Sequence, residues 1–482
     1  MAHNKFLPRV LAAAAAMMLL AGCSSIKADP GFSPANPVNI TIWTYYNGEQ
    51  LEAFNALVDE FNSTVGKEQG ITVESSSHGS VTDLENNVLA SAEGKVGAEA
   101  MPNIFSAYAD TAYALDEMGQ IADLSDYLSE EDRAAFIEDY LSEGDFSGSG
   151  SIKIFPVAKS AELLFLNETD WELFAAATGA TYDDLATIEG LVSVAERYYE
   201  WTDAQTPDIP NDGRAFFGRD AMANYMLIGA KQLGCTIFAA QGGSMTLNFD
   251  HDAVRTLWDN YYVPFIKGYF SASGRFRSDD VKTGNIIAYV GSSSSATFFP
   301  TQVIADDMDS HDITRKALES PKFANGEDYA VQQGAGMVVT KASDAEIQAS
   351  LVFLKWFTSP EHNITFSVDS GYLPVTHEGN SIDAIRISGL ALSNEMDEVL
   401  SAAVDTVNEN HLYTPRAFSG GTNARAILEY SMSDKASADR AAVKEAMAQG
   451  QSFEEASAQF LSDECFEAWY QDTLASLEAF QG

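Results

Sequence analysis

Basic residues are scarce in this chain. Twenty-eight Lys and Arg stand against seventy Asp and Glu in 482 residues, for a formal net charge of −42. A surface so acidic disfavours nucleic acid and anionic lipid headgroups as partners, because like charge repels both. It says little about a small ligand, since surface acidity usually serves solubility. Cysteine is nearly absent: only Cys23, Cys235 and Cys465 occur. Sequence alone does not bring Cys235 and Cys465 together, and a large domain needs no staple. Two separate buried thiols are therefore expected, with a bridge as the alternative. The uncharged run Val10–Leu20 falls well short of the roughly 20 residues that span a bilayer. No repeat at a solenoid or propeller period is visible.

Catalytic signatures are missing too. The chain has no Gly-x-Ser-x-Gly elbow, no His-Glu-x-x-His helix and no glycine-rich phosphate loop with a lysine after a strand. Seventy carboxylates guarantee that some pair sits at glycosidase spacing, so their number does not argue for a hydrolase. The acidic run Asp306–Asp312 lacks the sixth-position glycine and twelfth-position glutamate of a calcium loop and reads as solvated. His251, between Asp250 and Asp252, reads as a surface turn. No catalytic residue, metal or cofactor is expected.

What is present begins at the amino terminus. Lys5 and Arg9 precede the apolar run, and the small residues Ala21-Gly22 precede Cys23. That order is a secretory signal over residues 1–22. Leu20-Ala21-Gly22-Cys23 also looks like a lipobox, in which cleavage leaves Cys23 as a lipid-modified first residue. An ordinary secretory cut with Cys23 nearby by chance is the alternative. Residues 23–37 are rich in Ser, Gly, Pro and Ala and compose a flexible tether. The expectation is an exported protein held by lipid to the outer face of a membrane.

The body is 46% apolar, which supports a globular fold, and too long for one core, so two lobes are expected. Val38–Trp43 reads as a strand, followed by a helix with Leu51, Phe54, Leu57, Val58 and Phe61 on one face. Gly70–Glu74 and Pro102–Ser106 read as further strands, the second leading into a helix near Ala112–Met118. Strands alternating with helices imply βαβ units and a largely parallel sheet. Ile152–Leu166 holds two short extended pieces around Pro156, and helices are expected at Trp171–Ala177 and Ile188–Trp201. Asp203–Arg214 is a loop, Asn285–Val290 and Gly334–Val339 are strands, and the Ala- and Glu-rich stretch after Ser433 is helical.

Phe353–Val375 reads FLKWFTSPEHNITFSVDSGYLPV. An apolar helical face Ile347, Leu351, Leu354, Phe357 ends at Ser359-Pro360, a second helix follows, and Gly371-Tyr372-Leu373-Pro374 makes a turn. In its wording the segment resembles the bacterial extracellular solute-binding proteins that feed ABC importers, of the maltose-binding-protein-like sugar type, and the likeness runs along nearly the whole mature chain. It implies an α/β, two-lobed periplasmic-binding-protein-like fold. Each lobe would be a mostly parallel sheet flanked by helices, with crossing hinge strands and a helical C-terminus. The lobes would comprise residues 38–156 plus 332–374 and 157–331 plus 375–482. It also implies a monomer with a ligand cleft between the lobes, a membrane permease and its ATPase as partners, and no enzymatic activity.

Strand-end loops are where such folds bind ligands. Tyr45, Tyr46 and Asn47 follow the first strand; tyrosine rings stack on sugar C–H faces, or else pack inward as Trp43 is expected to do. The resemblance places Asp110 on a sugar-binding carboxylate, with a helix N-cap as the alternative. Ala107 stands where the resemblance implies an aromatic, so either Tyr108 is the substitute or the pocket differs. Lys159 and Ser160 lie at the first crossing, facing the ligand or bonding the hinge. Ser292, Ser293 and Ser294 occupy the loop where the family carries a stacking tryptophan. Their hydroxyls and loop N–H groups suit a more polar ligand, such as a phosphorylated polyol, or simply fill a turn. Gln332, Gln333, Gly334 and Tyr372 complete the set, with Arg219 and Asp220 as further candidates or a surface pair. The expected ligand is a mono- or oligosaccharide, or a polyol phosphate such as glycerol 3-phosphate. A secreted glycan hydrolase and an adhesive scaffold are the rival classes.

Overall fold

A computed structural model describes residues 31–304 and 310–481. The signal segment, Cys23, the first part of the tether and most of the acidic run 306–312 lie outside the described residues. Two four-stranded sheets organise the chain. In the first, Val38–Thr44 is flanked by the parallel strands Ile71–Ser77 and Ile104–Ala107, and Gly336–Val339 runs antiparallel along the latter. Ile40, Ile42 and Val73 alternate into the core, and the helix Gly48–Ser63 lays Phe54, Leu57, Val58 and Phe61 over it. Leu51, at the edge of that stripe, is half-buried.

The second sheet centres on Glu162–Asn167, buried at all six positions. Its neighbours Arg315–Glu319 and Ala288–Ser292 are both antiparallel to it, and only Phe217–Arg219 joins in parallel, along Ala288–Ser292. The largely parallel order expected there is thus replaced by a mixed sheet. A parallel pair needs a crossover that returns the chain to the same end. The long helical excursion from Asn167 instead brings the chain back to the end where that strand finished, with Ala288 opposite Leu166, so the next strand runs antiparallel.

Three chain segments run side by side between the sheets. Phe155 bridges to Met337, Ser160 to Gln333 and Lys159 to Leu373. Buried side chains pack continuously through this junction, from Ile40 and Phe353 to Leu163, Phe165 and Tyr289. A second core fills the other half around Trp258, Tyr262, Phe466 and Trp469, with the Trp258 and Tyr262 rings stacked 3.6 Å apart.

Two helices depart from the expectation. The C-terminal one starts at Gly421, well before Ser433, because Ala424, Leu428, Met432 and Ala436 form a four-residue stripe on the second core. His251 is the first residue of the helix His251–Lys267 rather than a surface turn. Asp250 caps that helix, accepting from the Ala253 N–H at 2.9 Å. Cys235 is buried and Cys465 half-buried, and both are free thiols. Among the described residues no helix is long and apolar enough to cross a membrane.

Candidate functional site

A cavity of about 540 Å³ lies between the halves. On the side of the first sheet its wall is Val81, Thr82 and Glu85 at the start of one helix, Tyr108, Ala109 and Asp110 at the start of another, and Glu143. The opposite wall is Asn224, Leu227 and Ile228, the segment Tyr413–Pro415, and Gly421, Thr422, Arg425, Glu429 and Tyr430 on the long helix Gly421–Ala448. Gln332 and Gln333 reach it from the crossing segment.

The wall carries four carboxylates and a single guanidinium. Glu429 accepts from the backbone N–H groups of Met222 (3.2 Å) and Ala223 (2.7 Å), capping their helix. Glu143 pairs with Lys159, whose ammonium also donates to the Gly334 carbonyl at 2.8 Å. Glu85 accepts from the Thr111 hydroxyl at 2.7 Å, yet burial still pushes its carboxyl up. Asp110 is pushed up to about 6 by burial, with Arg425 pulling the other way and Glu85 and Glu143 adding repulsion. Its carboxylate sits so close to Gly421, the first residue of the long helix, that a Cβ added there would overlap it. Arg425 donates to Asn224 Oδ1, Asn224 Nδ2 donates to Glu162 Oε1 at 2.8 Å, and Arg219 donates to Glu162 Oε2 at 2.7 Å. That chain ties the guanidinium to the central strand of the second sheet. Gln332 Nε2 and Gln333 Oε1 are buried with no hydrogen-bond partner among the described residues.

Of the residues singled out in the sequence, Tyr108, Asp110, Gln332 and Gln333 line this cavity. Asp110 is not an N-cap: Tyr108 holds that position and Asp110 sits in the first turn. Tyr45, Tyr46 and Tyr372 pack together beside it, with the Tyr45 and Tyr372 hydroxyls 3.3 Å apart and both phenols pushed up, chiefly by burial. Tyr108 adds to the rise at Tyr45 and Tyr46, although none of Tyr45, Tyr46 and Tyr372 lines the cavity. Asn47 is exposed and bonds the Tyr45 and Gly79 carbonyls. Lys159 is fully buried in its pair with Glu143, and Ser160 exchanges backbone hydrogen bonds with Gln333 (2.9 and 3.2 Å).

The serine loop forms a short 3-10 helix, Ser293–Phe298. Ser292 caps it by accepting from the Ser294 N–H, and Ser293 donates to the Gly371 carbonyl at 2.9 Å. Those hydroxyls serve the turn and the junction, and none of the three serines lines the cavity. Arg219, read as a ligand candidate or half of a surface pair, is buried against Glu162. Sequence reasoning missed Glu85, Asn224, Arg425 and Glu429. The signal available for the last two was the four-residue apolar spacing Ala424, Leu428, Met432, Ala436 of the helix that carries them.

The chain belongs to the bacterial extracellular solute-binding proteins, whose family pattern matches residues 56–384. No curated protein of described function matches it. Among solved structures it is similar to the cyclic alpha-maltosyl-1,6-maltose binding protein of Arthrobacter globiformis, at 17% identity and a TM-score of 0.65, over 92% of this chain and 100% of that one. UgpB of Mycobacterium tuberculosis, in complex with glycerophosphocholine, matches at 16% identity and a TM-score of 0.64, over 92% and 98%. The GacH receptor of Streptomyces glaucescens, solved unliganded and with acarbose, matches at 14% and 0.62, over 90% and 98%. At such identities the likeness is one of fold: two lobes joined by crossing segments.

Proposed function

We propose that this protein captures a sugar-type solute, an oligosaccharide by preference, between its lobes and delivers it unaltered to an ABC importer permease. The observation that carries this is the composition of the cavity wall. Tyrosine rings stand beside carboxylates and two glutamines, the groups that stack on sugar faces and bond hydroxyls. A volume of about 540 Å³ suits a small oligosaccharide. The ligands named for the structural neighbours, a cyclic maltosyl-maltose and acarbose, support the same class. The lobes are assigned to residues 38–156 plus 332–374 and 157–331 plus 375–482, on the strength of the three bridged crossing segments. Lobes joined this way close by hinge rotation, and a ligand touching both favours the closed form by differential affinity. Export and a lipid on Cys23 complete the proposal: a monomer tethered outside the cell.

A phosphorylated polyol such as glycerol 3-phosphate is the second reading, and Arg425 is the observation in its favour. Against it, the serine hydroxyls are turned into the loop and carboxylates outnumber cations on the wall. Calorimetric titration against a panel of sugars, oligosaccharides and polyol phosphates tests the proposal. Saturable heat without product is the expected result. Product formation makes the protein a hydrolase, and silence across the panel overturns transport.

A further inference from the structure

We propose that the Tyr430 ring is an outer stacking site for a further sugar unit, through which the cleft selects its solute by chain length. This rests on the sugar-binding proposal above and names the residue that sets the preference for an oligosaccharide. The helix Gly421–Ala448 carries two stripes at helical spacing. Ala424, Leu428, Met432 and Ala436 bury into the second core, whereas Thr422, Arg425, Ala426, Glu429 and Tyr430 face the cavity. Tyr430 is the last member of the cavity-facing stripe and is 59% exposed.

Packing does not account for that ring. Among the described residues it has no aromatic neighbour and its phenol has no hydrogen-bond partner. The other rings of the same wall are engaged in the fold. Phe238 and Phe418 are buried against each other with centroids 5.3 Å apart, and Tyr413 packs edge-on against Tyr329 at 6.3 Å. Tyr430 therefore offers an open aromatic face, which the C–H face of a pyranose covers while the phenol tip stays wet. Its place along the helix separates it from the inner polar groups. Asp110 lies against Gly421, and Tyr430 stands about 13 Å farther along the helix axis at 1.5 Å per residue. The carboxylate and the ring thus address different units of one ligand, and a solute that meets both is an oligosaccharide.

The test is calorimetric titration of the purified full chain, as wild type, Tyr430→Ala and Tyr430→Phe. The probes are maltodextrins, cellodextrins and xylo-oligosaccharides, each from the monosaccharide to the tetramer. In a series that binds, Tyr430→Ala is expected to weaken the tetramer about ten-fold, equivalent to about 1.4 kcal/mol. The shortest member that binds should lose little, and Tyr430→Phe should recover most of the tetramer's loss, because the ring face carries the contact. Loss of equal size at every length, no loss at any length, or a Phe variant as weak as the Ala variant overturns the outer site and leaves the sugar proposal standing. Failure of every series to bind the wild type overturns both.

Discussion

Tyr113 and Gly243 touch across the gap between the lobes. Tyr113 lies on the helix Ala109–Glu117, and Gly243 turns the hairpin between Phe238–Gln241 and Ser244–Leu247. A Cβ added at Gly243 would overlap the tyrosine hydroxyl. The position also has φ +81, where side chains other than glycine's are strained by roughly 1 kcal/mol. Gly243→Ala is therefore expected to hold the lobes apart and weaken solute binding by about ten-fold, which is 1.4 kcal/mol. Adding Tyr113→Ala should recover most of that loss. Titration of the single and double variants decides it, because backbone strain alone would give no recovery.

The chain Arg425, Asn224, Glu162, Arg219 crosses from the cavity wall to the central strand of the second sheet. Asn224→Ala removes the acceptor that aims Arg425 and a donor to a buried carboxylate. It should weaken binding nearly as much as Arg425→Ala, and the double variant should be little worse than either. A double-mutant cycle of solute affinities checks this, with an expected coupling of roughly 0.5–3 kcal/mol.

Asp110 sets a pH dependence. Its carboxyl rises from an ordinary 3.8 to about 6 because burial outweighs the pull of Arg425, with Glu85 and Glu143 repelling it. A carboxyl raised by folding stabilises the folded state below its unfolded pKa, and that contribution fades as pH rises through 6. Above that pH the charged form costs up to about 3 kcal/mol. Asp110→Asn should therefore raise the melting temperature of the ligand-free protein at neutral and alkaline pH. The gain should shrink on acidification through pH 6 and vanish below about 4. Thermal melts across that range read it directly. Asp220, also pushed up to about 6 by burial, contributes with the same sign to both proteins and cancels in the comparison.

Lys159 and Glu143 form a buried pair at the junction. Lys159→Met strands the Glu143 carboxylate and should cost about 3–5 kcal/mol of stability. Replacing both, as Lys159→Met with Glu143→Leu, should restore much of it. Denaturant unfolding of the two variants measures the difference.

Much of the first lobe was legible because its signals are local. The alternation in Val38–Trp43 and the stripe Phe54, Leu57, Val58, Phe61 each report one buried face. The segments near Pro156, Gln332 and Pro374, which run side by side, were singled out through resemblance, since nothing in their composition distinguishes a hinge from a loop. The second lobe was harder to read. Asp250-His251-Asp252 hid the start of a helix whose buried residues Val254, Leu257, Trp258 and Tyr261 appear only further on. The antiparallel pairing of Glu162–Asn167 depends on where a long excursion returns, which no local pattern encodes. The cavity wall was the least legible part. Asp110 and Tyr108 were singled out through the resemblance, whereas Arg425 and Glu85 line facing walls and are brought to one cavity only by tertiary packing. The serine loop misled because free hydroxyls and turn-capping hydroxyls look alike in sequence.

The central claim is that two lobes close on a solute held between them. Small-angle X-ray scattering of the purified protein, alone and with a saturating sugar ligand found by titration, tests this most directly. The account predicts a smaller radius of gyration when ligand is bound, and an unchanged radius at full saturation would contradict it.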